Sequence, residues 1–106
     1  MKKIARYILS YYSKLERPIS NSQLQKTLYF CWIDYYKAEK KYLFNEPFIA
    51  WTLGPIIVSV YLEYCHNGGF KIFEPEAHMS DRLNKAIINA TLERYIGWSI
   101  VKAAER

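Results

Sequence analysis

Two histidines, two cysteines and scattered carboxylates are the groups of this 106-residue chain with the potential for covalent, acid–base or metal chemistry. His66 and His78 have no Cys, Asp or Glu partners at the spacings that hold zinc, so no metal site is expected. His66, beside Asn67, reads instead as the polar end of a helix. Glu74 and Glu76 flank Pro75, where a turn ordinarily leaves carboxylates in water, and two carboxylates alone do not make a catalytic dyad. Gly68-Gly69 lacks the Lys-Ser/Thr step that completes a phosphate-binding loop. Ser59, His66 and Asp81 supply the residue types of a hydrolytic triad without any nucleophile-elbow pattern around the serine. Neither an enzyme nor a cofactor is therefore expected. Cys31 lies on an apolar helical stripe and Cys65 ends an apolar run, so both read as small buried residues of a reducing compartment, with a disulfide between them left open.

What remains is the chemistry of binding. The formal charge of +5 is one-sided: residues 1–41 hold nine Lys or Arg against Glu16, Asp34 and Glu39, whereas residues 42–106 hold six against seven acidic residues. Such a field can steer a nucleic acid or an acidic protein partner. Part of it is ordinary helix chemistry, because Lys37, Lys40 and Lys41 sit at an expected helix C-terminus and favour the macrodipole. Basic residues alternate with aromatics in Lys26-Thr27-Leu28-Tyr29 and Tyr35-Tyr36-Lys37, a pattern on which single-stranded nucleic acid can stack. The competing reading turns Tyr29 and Tyr35 into the fold and leaves the lysines solvated. A helix-turn-helix over residues 18–36 is weaker, since its second helix would offer Trp32 and Tyr36 but few Arg or Asn side chains to base edges. Ten tyrosines among the aromatics suit a protein interface, although burial in the core or on half-buried helix faces is the default for any one of these rings.

The elements that must position these groups are legible from periodicity. Ile4, Ile8, Tyr11 or Tyr12, and Leu15 predict a first amphipathic helix that ends by Pro18. Ser20 and Gln23 occupy the two positions of a capping box, and Ile19 and Leu24 those of a hydrophobic staple, so a second helix begins there. Leu24, Leu28, Cys31, Tyr35 and Ala38 form its expected inward stripe, with Gln25, Trp32, Tyr36 and Lys40 opposite. Asn45-Glu46-Pro47 marks a turn before Phe48-Ile49-Ala50-Trp51, expected as a short strand. Gly54 and Pro55 are placed as N-cap and first residue of a short apolar helix over 56–65, which Asn67-Gly68-Gly69 ends. Phe70-Lys71-Ile72-Phe73 is expected as a second strand pairing with the first. A last helix over 83–104, capped by Ser80 and bent at Gly97, completes a single domain. No apolar run approaches the ~18 residues of a membrane span, and a cytoplasmic location is expected.

The ordered set Leu24-Gln25-Lys26-Thr27-Leu28-Tyr29-Phe30, Leu43-Phe44, Ala50-Trp51, Gly54-Pro55 and Tyr61 resembles the Panacea domain family of SocA-like antitoxins and phage-associated proteins. The likeness covers roughly residues 4–69, and the chain is expected to be short at its C-terminus relative to the family, without the later threonine-histidine and tryptophan signature. It implies a mostly α (α+β) fold: a compact bundle of four to five helices with a small two-stranded β element. It also implies an antitoxin-like domain that neutralises a partner protein by direct contact. Trp51, Gly54, Pro55 and Tyr61 are then the shaping motif, and Lys26, Tyr29, Trp32 and Tyr36 the contact candidates. An alternative in which Trp51 and Tyr61 simply hold the core stays open. So do two other functions: a phage or mobile-element protein that inhibits a host defence or transcription component, and a nucleic-acid-binding protein that uses the basic N-terminal half.

Overall fold

A computed structural model of the chain describes residues 2–52, 54–74, 77 and 84–94. These are mostly helical: α1 (Lys2–Lys14), α2 (Asn21–Glu39), α3 (Val58–Tyr64), extended by one 3₁₀ turn over Cys65–Asn67, and a helical run over 84–94, called α4. The core gathers around α2. Leu24, Leu28 and Cys31 meet Ala5, Ile8 and Leu9 of α1, Ile57 and Val60 at the start of α3, and Ile88 and Leu92 of α4. Burial of these apolar side chains is the main term that holds the helices together.

The helix termini follow local rules. Ser20 has an extended backbone, its Oγ accepts from the Gln23 N–H at 3.3 Å, and Gln23 Oε1 accepts from the Ser20 N–H at 2.9 Å. The predicted capping box is therefore formed. α1 ends before Pro18 is reached. The Arg17 N–H donates to the Tyr12 carbonyl at 2.9 Å and the Glu16 N–H to the Ser13 carbonyl at 3.0 Å, with Glu16 at φ 59°. This is a Schellman ending with a glutamate at the left-handed position that glycine usually takes. It leaves Leu15 beyond the helix and exposed. α2 likewise ends on a left-handed Lys40, whose N–H donates to the Tyr36 carbonyl at 2.8 Å.

Polar links fix α4. Tyr7 on α1 donates its hydroxyl hydrogen to Asn89 Oδ1. Asp34 on α2 accepts from Thr91 Oγ1 at 2.7 Å and pairs with Arg94.

The expected two-stranded element does not form among the described residues. Each segment makes a single antiparallel bridge with a different partner: Ile49 with Ile56, and Ile72 with Ile19. The first bridge is local, because Gly54 at φ +117° lets the chain return on itself within six residues. The Gly54 N–H donates to the Trp51 carbonyl at 3.0 Å and closes the tip. Gly54 and Pro55 thus build a tight loop rather than a helix start. α3 begins at Val58, with Ile57 as its N-cap residue. A Cβ at Gly54 would meet nothing within 4 Å, so the backbone angle alone asks for glycine there. Ala38, expected inward, lies in the last turn of α2 and is exposed. Ser80, Gly97 and the outer parts of the predicted 83–104 helix lie outside the described residues.

Candidate functional site

α2 organises both surfaces of interest. At 100° per residue, Asn21, Gln25, Tyr29, Trp32 and Tyr36 follow one stripe along the helix. The segment from Leu43 to Ile57 crosses the middle of this stripe. Phe48 is its seal: the ring packs edge-on against Tyr29 at 5.2 Å and Trp32 at 6.0 Å, and tilted against Phe44 at 5.7 Å. A hydrogen bond from the Ser59 hydroxyl to Glu46 ties the segment to α3. The N-terminal end of the stripe then opens into a cleft and the C-terminal end into an aromatic stack.

The cleft has a volume of about 220 Å³ and lies between the first turns of α2, the 49–56 loop and α3. Its walls include Trp51, Pro55, Ile56 and Tyr61, with Lys26, Ser22 and Cys65 at its polar positions. Its floor is a buried amide relay. The Ile57 N–H donates to Gln25 Oε1 at 2.8 Å, Gln25 Nε2 to Asn21 Oδ1 at 3.2 Å, and Asn21 Nδ2 to the Tyr61 carbonyl at 3.1 Å. α3 has no side-chain cap from its own residues, so Gln25 supplies that acceptor from another helix. Periodicity places Gln25 on the outward face of α2, yet it is only 3% exposed. The distant Ile57 N–H makes that burial tolerable.

Trp51 is half exposed and stands edge-on to Tyr61, with ring centroids 5.0 Å apart at 89°. Neither ring belongs to the buried core cluster. Four of the expected site residues, Lys26, Trp51, Pro55 and Tyr61, therefore meet at one cleft, while Gly54 shapes the loop that carries Trp51. Tyr29, Trp32 and Tyr36 lie farther along α2. There Trp32 stacks with Tyr36 at 6.0 Å and with Tyr42 at 5.4 Å, and Tyr36 stacks with Tyr42 at 5.7 Å. Tyr36 and Tyr42 are exposed, and so are the neighbouring Lys37, Lys40 and Lys41.

α3 adds a surface that the sequence reading missed. Val60 and Tyr64 point into the core, while Val58 and Leu62, on the opposite face, are exposed, Leu62 by 61%. Cys65 continues that outer face and is exposed, contrary to the expectation that both cysteines are buried. The signal was present in the spacing, since Val58, Leu62 and Cys65 recur at i, i+4 and i+7 on a helix with apolar residues on both faces. Cys31 behaves as expected: it is buried, and burial followed by the nearby charge of Asp34 pushes its thiol well above the usual range. Both are free thiols. A disulfide-exchange reagent such as Ellman's should therefore titrate one cysteine of the folded chain quickly, and the second only on denaturation. Cys65→Ser should abolish the fast phase, and two fast thiols would contradict this burial pattern.

Among the described residues no group of three or more His, Cys, Asp or Glu side chains is placed to hold a metal ion, and no helix is long and apolar enough to cross a membrane. Set against models of known protein families, curated proteins and solved structures, the chain matches none.

Proposed function

We propose that the chain is a non-catalytic, antitoxin-like binding domain that neutralises a partner protein by covering it. The observation that carries this reading is the exposed outer face of α3, where Val58, Leu62 and Cys65 lie beside the Trp51–Tyr61 pair. Apolar side chains gathered at an open surface mark contact sites when a ring such as Trp51 can anchor them. The resemblance of the Lys26, Trp51, Gly54-Pro55 and Tyr61 pattern to Panacea domains supports an antitoxin role, with a toxin as the partner. Free thiols on both cysteines suit a cytoplasmic setting. The same surface would serve an inhibitor of a host defence or transcription component, and the identity of the captured protein separates the two.

A second reading rests on the stacked Trp32, Tyr36 and Tyr42 rings with Lys37, Lys40 and Lys41 around them. That surface suits single-stranded nucleic acid, whose binding would fall steeply with salt.

The deciding experiment is capture of partners from the native host by the tagged chain at physiological salt, with and without nuclease. A stoichiometric small protein that survives nuclease and is lost with Leu62→Asp supports neutralisation. A large host assembly lost with the same variant supports the inhibitor reading. Material retained by Leu62→Asp but lost to nuclease, or to Tyr36→Ala with Lys40→Glu, transfers the function to the aromatic stack. Circular dichroism of each variant should match the parent, because these side chains are exposed.

A further inference from the structure

The cleft beside Trp51 has a chemistry of its own. Its volume of about 220 Å³ is below the roughly 300–1,000 Å³ of sites that enclose drug-sized ligands and cofactors. It has room for one large side chain. Its walls are apolar, and the amides of its floor are committed to one another and to the backbone of α3. A polar group entering the cleft can meet the Ser22 and Tyr61 hydroxyls, the Trp51 indole N–H and the Cys65 thiol, and among the described lining residues Lys26 alone brings a formal charge. Among the described residues that line the cleft none is acidic, so Lys26 there faces no carboxylate from the lining.

We propose that this cleft receives an apolar side chain of the partner protein together with an adjacent carboxylate, from a chain terminus or a neighbouring Asp or Glu, which Lys26 pairs. The inference rests on the protein-binding reading and specifies what the partner must present. The apolar side chain lies between the Trp51 and Tyr61 rings and Pro55, and the carboxylate turns toward α2. A protein segment is favoured over a free small acid because the exposed face of α3 adjoins the cleft at Tyr61 and Cys65, giving the flanking residues of a segment a surface to follow.

The test uses the full chain labelled with nitrogen-15 and needs no identified partner. N-acetyl-phenylalanine, its amide and phenylacetate are titrated separately while the Trp51 indole and Gln25 side-chain amide signals are followed. N-acetyl-phenylalanine should move both signals at millimolar concentration and bind about fivefold more tightly than its amide, the size of a partly exposed ion pair. Phenylacetate, which keeps the ring and charge but lacks the peptide group, should bind more weakly. Lys26→Gln should remove the preference for the acid while leaving the amide's affinity unchanged, a readout that loss of folding would not produce. Equal binding of acid and amide, or shifts confined to Trp32 and its neighbours, would overturn the assignment. Tighter binding of phenylacetate would mean that the cleft takes small aromatic acids and not a protein segment. Probe binding with no captured protein would defeat the proposed function alone, whereas capture of a partner by a chain blind to all three probes would defeat the cleft assignment alone.

Discussion

Leu28→Ala should lower the stability of the folded chain by about 2–5 kcal/mol, the range for deleting a fully enclosed leucine. Leu28 has no exposed surface and lies in the middle of α2, in the cluster shared with α1, α3 and α4. Because several elements fix its surroundings, the space it leaves collapses poorly, which points to the upper half of that range. A domain of this size holds a total of about 5–15 kcal/mol, so the loss is a large share of it. Thermal unfolding followed at 222 nm should show a midpoint lower by roughly 10 °C or more. A fall of only a few degrees would mean that α2 is not the centre of the core.

Gln25→Leu should cost about 2–4 kcal/mol although it replaces a polar residue in a buried position with an apolar one of similar size. Two groups lose their partners: the Ile57 N–H at the start of α3, and Asn21 Oδ1. An unsatisfied buried group costs about 1–3 kcal/mol. The effect should be local before it is global. Amide exchange at Ile57 and through the first turn of α3 should accelerate more than at Leu28, whose protection follows the whole fold. Uniform acceleration across both helices would show that Gln25 contributes only to overall stability. If the first turn of α3 loosens, the cleft widens, and the preference for N-acetyl-phenylalanine over its amide should weaken along with it.

These two residues mark how far the sequence could be read. Leu28 was legible because its burial follows from helical period, and the start of α2 because Ser20 and Gln23 satisfy each other across three residues. Gln25 was misplaced because its partner is 32 positions away, and no local period encodes that distance. The short apolar runs at 48–51 and 70–73 fit strands by composition, but composition does not choose a partner. Ile49 closes on Ile56 through a loop held by Gly54, and closing a short loop costs less chain entropy than joining distant segments. Ile72 pairs instead with Ile19, a buried residue just before α2. Among the expected site residues, Lys26, Trp51, Pro55 and Tyr61 share one cleft, whereas Tyr29, Trp32 and Tyr36 belong to the sealed middle and the far end of the same stripe. Helical period alone places Gln25, Trp32 and Tyr36 on one face. The crossing Phe48 that divides it into two sites required the loop to be folded.

The division gives α2 the properties of a ruler. At 1.5 Å per residue, Gln25 and Tyr36 stand about 16 Å apart along a rigid axis. An extended segment covers that distance in about five residues and a helical one in about eleven. A partner that engages both ends must therefore carry two features at a set separation, and one with the right chemistry at the wrong interval can grip only one end. Selectivity would then reside in spacing as much as in the contacts, so a change of one or two residues between the partner's two features would discriminate more strongly than a conservative change within either.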